Sequence, residues 1–135
     1  MKILEVSQDS LQQVCEALEL KKNRGIYLLE GDLASGKTTL VRQMVQYLGN
    51  KSMVTSPTFL LSWDYGGGIY HYDIYQKNLQ ELFELGFLEE LEKEGWHFVE
   101  WGDEQLAQVL KKIGMDFKRI VISPKNHLRE YRIYA

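Results

Sequence analysis

Gly31-Asp32-Leu33-Ala34-Ser35-Gly36-Lys37-Thr38-Thr39 is the stretch that decides how this chain folds. It fits G-x-x-x-x-G-K-[ST], the pattern of a loop that cradles phosphate. Gly31 and Gly36 let the backbone take conformations a Cβ forbids, so successive N–H groups can converge on phosphate oxygens. Lys37 offers a point charge to β- and γ-phosphates, and Thr38 a hydroxyl ligand for Mg²⁺. The helix N-terminus that follows adds unpaired donors and the positive end of its dipole.

The flanks agree with the motif. Gly25-Ile26-Tyr27-Leu28-Leu29-Glu30 is an apolar, strand-like run. Thr39-Leu40-Val41-Arg42-Gln43-Met44-Val45-Gln46-Tyr47-Leu48-Gly49 has apolar residues at helical spacing and a terminal glycine. Strand, glycine loop and helix is the context a nucleotide phosphate site requires, and it displaces the alternative of a Gly-rich turn with an incidental lysine.

Composition bounds the rest. A chain of 135 residues, 44% hydrophobic and 26% charged, is a single domain (1–135) large enough for a core without staples. A net charge of -3 argues against autonomous nucleic-acid binding, although Lys111, Lys112, Lys118 and Arg119 could form a local basic patch. No apolar run approaches the ~20 residues of a membrane span, and Met1-Lys2-Ile3-Leu4-Glu5 is no signal peptide, which predicts a cytoplasmic protein with no membrane partner. Cys15 is the lone cysteine. It shares an apolar helical face with Leu11, Val14 and Leu18 and is expected in the core.

In chain order, Met1 to Val6 predicts an opening strand, and a helix capped by Ser7 or Asp9 runs to about Leu20. After the loop and its helix, Met53-Val54 starts a short strand ending at Thr55-Ser56-Pro57-Thr58. Phe59 to Tyr65 and Ile69 to Tyr75, separated by Gly66-Gly67-Gly68, predict a β-hairpin. In its second strand His71 and Asp73 share one face, and Tyr70, Tyr72 and Ile74 the other. Two short helices, Asn78 to Leu85 and Phe87 to Glu94, break at Gly86. A buried strand Gly95–Trp101, a helix from about Glu104 to Lys112, and strands near Phe117–Ser123 and Leu128–Tyr134 complete the chain. The expected fold is α/β, with a mixed central β-sheet flanked by helices.

Beyond the loop, Glu100 is the best-placed acid. It ends an apolar strand that can pair beside the loop strand, where a carboxylate holds Mg²⁺ through water or orients an attacking water. The alternative is a solvated acid at a strand end. Asp73 is a second candidate, balanced against an ordinary hydrogen-bonding residue in a hairpin. Thr55-Ser56-Pro57-Thr58 reads equally as a γ-phosphate sensor or as a Pro-containing turn. His71 could face the site with Asp73, whereas His97 and His127 have no partner pattern for a metal centre, and the absence of C-x-x-C and H-E-x-x-H gives no indication of zinc.

Taken in order, Gly-Asp-Leu-x-x-Gly-Lys-Thr-Thr, Ser56-Pro57-Thr58-Phe59, His71-Tyr72-Asp73-Ile74-Tyr75 and Glu100-Trp101 resemble the bacterial TsaE (YjeE) family, from the first strand to Arg129. The resemblance implies a single P-loop NTPase-like domain that binds and hydrolyses ATP with Mg²⁺ in tRNA threonylcarbamoyladenosine biosynthesis. It implies action in complex with the TsaD and TsaB proteins, with tRNA met only indirectly. On that reading Gly31, Ala34, Ser35, Gly36, Lys37, Thr38 and Thr39 hold the phosphates. Thr38 or Thr39 handles Mg²⁺ with Glu100. Lys37, Asp73 and Glu100 are the catalytic candidates. Trp101 shapes the site or a partner contact, and Arg129 lies near the nucleotide. The chain departs from the family pattern at Gln76, where an Arg is usual, with Lys77 following. A small-metabolite kinase and a nucleotide-gated binding module without required hydrolysis are the alternatives.

Overall fold

A computed structural model describes residues 1–32, 35–51 and 62–135. Ala34, the strand at Met53-Val54, the hydroxyl-rich segment 55–58 and the first residues of the strand beginning at Phe59 lie outside the described residues.

The sheet is built around two strands that read as apolar runs. β2 (Gly25–Glu30) and β5 (Trp96–Glu100) pair in parallel, Leu28 opposite Val99 and Leu29 opposite Glu100. All five residues of β5 are buried, as expected of a strand covered on both faces. With β1 (Lys2–Val6), β3 (Ser62–Gly66), β4 (Ile69–Asp73), β6 (Phe117–Lys125) and β7 (Leu128–Tyr134), the described strands form one sheet in the order β1-β7-β6-β2-β5-β4-β3. The centre (β6-β2-β5-β4) is parallel, and the outer pairs β1/β7, β6/β7 and β3/β4 are antiparallel. The sheet is therefore mixed, as the interrupting hairpin in the sequence predicts.

Alternation along β2 divides the core in two. Tyr27 and Leu29 face one layer with α1 (Gln12–Ala17) and α2 (Lys37–Tyr47), where Val14, Cys15, Leu40, Val41, Met44 and Val45 are buried. Ile26 and Leu28 face the other, with Leu82 of α3 (Leu79–Glu84), Phe87 and Leu91 of α4 (Phe87–Leu91), and Leu106, Ala107 and Leu110 of α5 (Glu104–Lys112). Cys15 is fully buried in the first layer, and burial pushes its thiol up to about 12.

One expectation is corrected. The helix predicted from Ser7 or Asp9 to Leu20 is instead a 3-10 turn at Gln8–Ser10, the short α1, and a second 3-10 turn at Leu20–Lys22. Ser7 makes no side-chain cap, and Glu19 sits at φ 49, which ends the α-helical path before Leu20. The Asn23 side-chain amide then donates to the carbonyls of Leu18 and Glu19, and the Trp96 indole to that of Leu20. Of the four residues named for a local basic patch, Arg119 is taken up by Glu30 and Glu104, each at 2.7 Å.

Candidate nucleotide-phosphate site

The topology places the C-terminal ends of β2, β4 and β5 side by side, and the site is assembled there. In-register pairing sets Asp73 beside Glu100 and Glu100 beside Leu29, so both acids end their strands next to the loop that leaves β2. α2 begins at Lys37, with Gly36 at φ +102 as its N-terminal cap. A Cβ on Gly36 would overlap the guanidinium of Arg129. A Cβ on Gly31 would lie 2.6 Å from Ser35 Oγ and 2.8 Å from the Ile122 carbonyl, so this approach also requires glycine.

Lys37 is 5% exposed and its ammonium turns back on the loop, donating to the carbonyls of Gly31 (2.7 Å) and Asp32 (2.8 Å) and to Ser35 Oγ (3.2 Å). It also lies 3.8 Å from the centre of the Trp101 ring. Burial lowers the Lys37 pKa, while the charges of Glu100, Asp73 and Asp32 act to raise it. Thr38 Oγ1 stands 2.9 Å from both carboxylate oxygens of Glu100, which is 3% exposed. Asp73 closes a small turn by accepting from the Tyr75 N–H at 3.0 Å. The solvated-acid alternative for Glu100 does not hold.

A cavity of about 320 Å³ joins these groups. Ser35, Gly36, Lys37, Thr38, Thr39, Asp73, Glu100, Trp101 and Arg129 line it. Every described residue the sequence singled out as a site candidate therefore converges there, except Gly31, which lines an adjoining space of about 720 Å³ with Tyr75, Gln76, Lys77, Trp101 and Asp103. Trp101, at φ 68, stands between the two and packs on Tyr75 with ring centres 4.5 Å apart.

Sequence reasoning turned His71 toward the site with Asp73 but did not find its partner there, Glu100. His71 Nε2 is 2.5 Å from Glu100 Oε2, and His71 Nδ1 is 3.0 Å from the Tyr65 hydroxyl. The shared face of His71 and Asp73 was legible from strand alternation, but the partner on the neighbouring strand was not.

The donor set suits Mg²⁺ of the P-loop kind, which takes one or two protein oxygens and completes its shell with water and substrate phosphate. A hydroxyl and a buried carboxylate meet within hydrogen-bond reach at the head of α2. Among the described residues no group of three His, Cys, Asp or Glu side chains could hold a metal unaided. No helix of the described residues is long and apolar enough to cross a membrane.

A central parallel sheet with a glycine loop leading from a middle strand into a helix, and a strand-end acid facing that helix, defines a P-loop NTPase-like α/β fold. The family model for threonylcarbamoyl adenosine biosynthesis protein TsaE matches residues 5–131. The chain belongs to the TsaE family of tRNA threonylcarbamoyladenosine biosynthesis. Its TsaE relative in Bacillus subtilis is 36% identical over 109 residues, covering 73% of this chain and 68% of the relative. The Treponema pallidum protein of the same description is 31% identical over 106 residues, 76% of this chain and 78% of the relative. The one from Rickettsia conorii is 45% identical over 80 residues, 56% and 45% of the two chains. The crystal structure of YdiB from Bacillus superposes with a TM-score of 0.72 at 25% identity, over 99% of this chain and 86% of that one.

Proposed function

We propose that this chain binds ATP with Mg²⁺ and hydrolyses it in support of tRNA threonylcarbamoyladenosine formation, in complex with TsaD and TsaB proteins. The observation that carries the reading is the contact between Thr38 and Glu100: the loop's hydroxyl and the strand-end acid meet at the head of α2, beside the buried lysine. The family membership supports the pathway, and the partners come from the resemblance.

In this reading the ammonium of Lys37 leaves the Gly31 and Asp32 carbonyls for the β- and γ-phosphate oxygens, so phosphate replaces the loop's own acceptors. Backbone N–H groups from Ser35 to Thr39 and the N-terminus of α2 face the phosphates, and Ala34 belongs to the same loop. Thr38 and Glu100 would hold Mg²⁺, with Thr39 at the same rim. When bound, Mg²⁺ neutralises the charge that builds on the β–γ bridge. Asp73 lines the cavity beside Glu100 and orients the water that attacks the γ-phosphorus. Arg129 packs over Gly36 and supplies a fixed positive charge where the leaving phosphate oxygens would lie. The P–O bond to ADP breaks as the bond to water forms, and the water's proton leaves with the phosphate. The assignment implies a cytoplasmic protein.

ATP hydrolysis by the pure chain, alone and with TsaD–TsaB, tests this beside Lys37→Ala. Activity that rises with the partners and disappears in the variant is expected; a Lys37→Ala protein that hydrolyses ATP normally would falsify the assignment. The kinase alternative is kept by the 720 Å³ space beside the loop, which is large enough for an acceptor. Phosphate transfer to a panel of small acceptors faster than to water would favour it.

A further inference from the structure

We infer that His71 is a positioning residue for Glu100: it holds the carboxylate from the side opposite Thr38, and Tyr65 holds His71. This deepens the Mg²⁺ site proposed above and rests on it. The sheet geometry makes the arrangement. In the β3–β4 hairpin Trp63 pairs with His71, and the register slips between Asp64 and Gly66, so Tyr65 is the extra residue of a bulge. Its ring reaches back over His71, with ring centres 6.2 Å apart and the two planes inclined by 23°. On its other side β4 lies in parallel register with β5, so His71 and Glu100 project from the same face, toward α2.

A carboxylate can only accept, so Nε2 of His71 carries the proton and donates to Glu100 Oε2. On the other side of the ring the Tyr65 hydroxyl stands 3.0 Å from Nδ1 and holds the imidazole in place. Thr38 Oγ1 donates to the same carboxylate from the first turn of α2. Glu100 is therefore held by donors from two elements, β4 and α2. When Thr38 turns to a metal ion, the His71 bond is the one that keeps the carboxylate from rotating. His71 is 0% exposed and Glu100 3%. Burying an imidazole and a carboxylate together costs free energy that a Phe–Leu pair would not, unless every donor and acceptor is matched.

The same β-sheet contains a counter-example. His97 is equally buried, but its partners are the Tyr72 hydroxyl and the Lys93 carbonyl, each at 2.7 Å, and it touches no acid of the site. His97 is what a histidine with a packing role alone looks like in this fold. His71 differs in having a site carboxylate as its acceptor. Groups that orient a metal ligand in this way typically change metal affinity by about 10–100-fold when removed.

The test is a Mn²⁺ titration of the ADP-loaded full chain, with free Mn²⁺ read by electron paramagnetic resonance and ADP affinity read separately in EDTA. Half-saturation should need about tenfold more Mn²⁺ in His71→Ala, and His71→Gln, whose side-chain amide keeps a donor, should recover most of that loss. Metal-free ADP affinity should stay within about twofold in both, because Lys37 and the loop are intact. His97→Gln should leave the Mn²⁺ titration unchanged even where it lowers the melting temperature. If His71→Ala does not fold, Tyr65→Phe, which keeps the ring and removes the hydroxyl at Nδ1, should weaken Mn²⁺ in the same direction. The inference is overturned by a His71→Ala protein that titrates as the parent does. It is equally overturned by a His71→Gln protein as weak as His71→Ala, or by His97→Gln weakening Mn²⁺ to the same degree. If Glu100→Gln also titrates like the parent, the metal assignment itself fails and takes this inference with it.

Discussion

At the scale of single residues the loop is a set of close approaches that no other side chain could occupy. Alanine at Gly31 would push its Cβ into Ser35 Oγ and the Ile122 carbonyl, and the latter is backbone that cannot swing aside. Overpacking of this kind costs about 1–3 kcal/mol, and relieving it moves the loop residues proposed to face phosphate. Gly31→Ala should therefore lower both the melting temperature and ATP affinity. Gly49→Ala, at φ +85 with nothing within 4 Å, should lose only the roughly 1–2 kcal/mol of a left-handed Cβ and leave affinity alone. Calorimetry with and without ATP separates the two; unchanged ATP affinity in Gly31→Ala would remove the close-approach argument. The loop was legible in the sequence because its parts are contiguous. Glu100 stands 62 residues from Thr38, and its role had to be inferred from a strand-end position. The approach of Arg129 to Gly36 has no local signature at all; only the family resemblance pointed to it.

At the scale of elements, legibility followed how local the stabilising contacts are. The bounds of α5, Glu104–Lys112, were read from sequence because they are set within the segment. Asp103 accepts from the Leu106 N–H at 3.1 Å, and Lys111 and Lys112 close the last turn. Asn78 caps α3 in the same way, through the N–H groups of Gln80 and Glu81. Asp103→Ala and Asn78→Ala should each cost about 1 kcal/mol in urea unfolding. The predicted helix from residue 7 to 20 broke because its end is decided from elsewhere. The indole N–H of Trp96, on β5, donates to the Leu20 carbonyl at 2.8 Å and fixes a 3-10 turn where helical periodicity would have continued. Trp96→Phe removes the indole donor and leaves the Leu20 carbonyl only the Asn23 N–H at 3.2 Å, and should cost about 0.5–1.5 kcal/mol for that bond plus the packing of the lost ring, at least as much as either cap. A loss smaller than that of Asp103→Ala would show that the turn does not depend on the indole.

At the scale of the whole molecule, the layer that supports the glycine loop is closed to solvent, and its burial is readable as pH dependence. Cys15 lies in the same core as Leu40, Val41 and Met44 of α2, and Tyr27 is buried on the strand that leads into the loop. Burial pushes the Cys15 thiol from its ordinary 9.0 to about 12 and the Tyr27 phenol from 10.0 to about 12, and raises Tyr72 in the opposite layer as well. The sign follows from the proton count. Between pH 9 and 12 the unfolded chain has lost these protons and the native chain keeps them, so the native state binds more protons and its stability falls as pH rises. The stability these groups contribute is fully present below pH 9 and is lost as pH climbs toward 12. Each ionising group adds a slope approaching about 1.4 kcal/mol per pH unit. Urea unfolding between pH 7 and 10.5 should show a plateau followed by a decline, and Cys15→Ala, whatever it costs at pH 7, should decline less steeply above pH 9. Equal slopes for the two proteins would mean that the thiol titrates in the native state, and hence that the core behind α2 admits water. A thiol reagent gives the same answer from the native side: Cys15 should stay unmodified at pH 8 until the chain unfolds. ATP should delay that modification, because a ligand that binds only the native state lowers the population in which the loop and its supporting core are open.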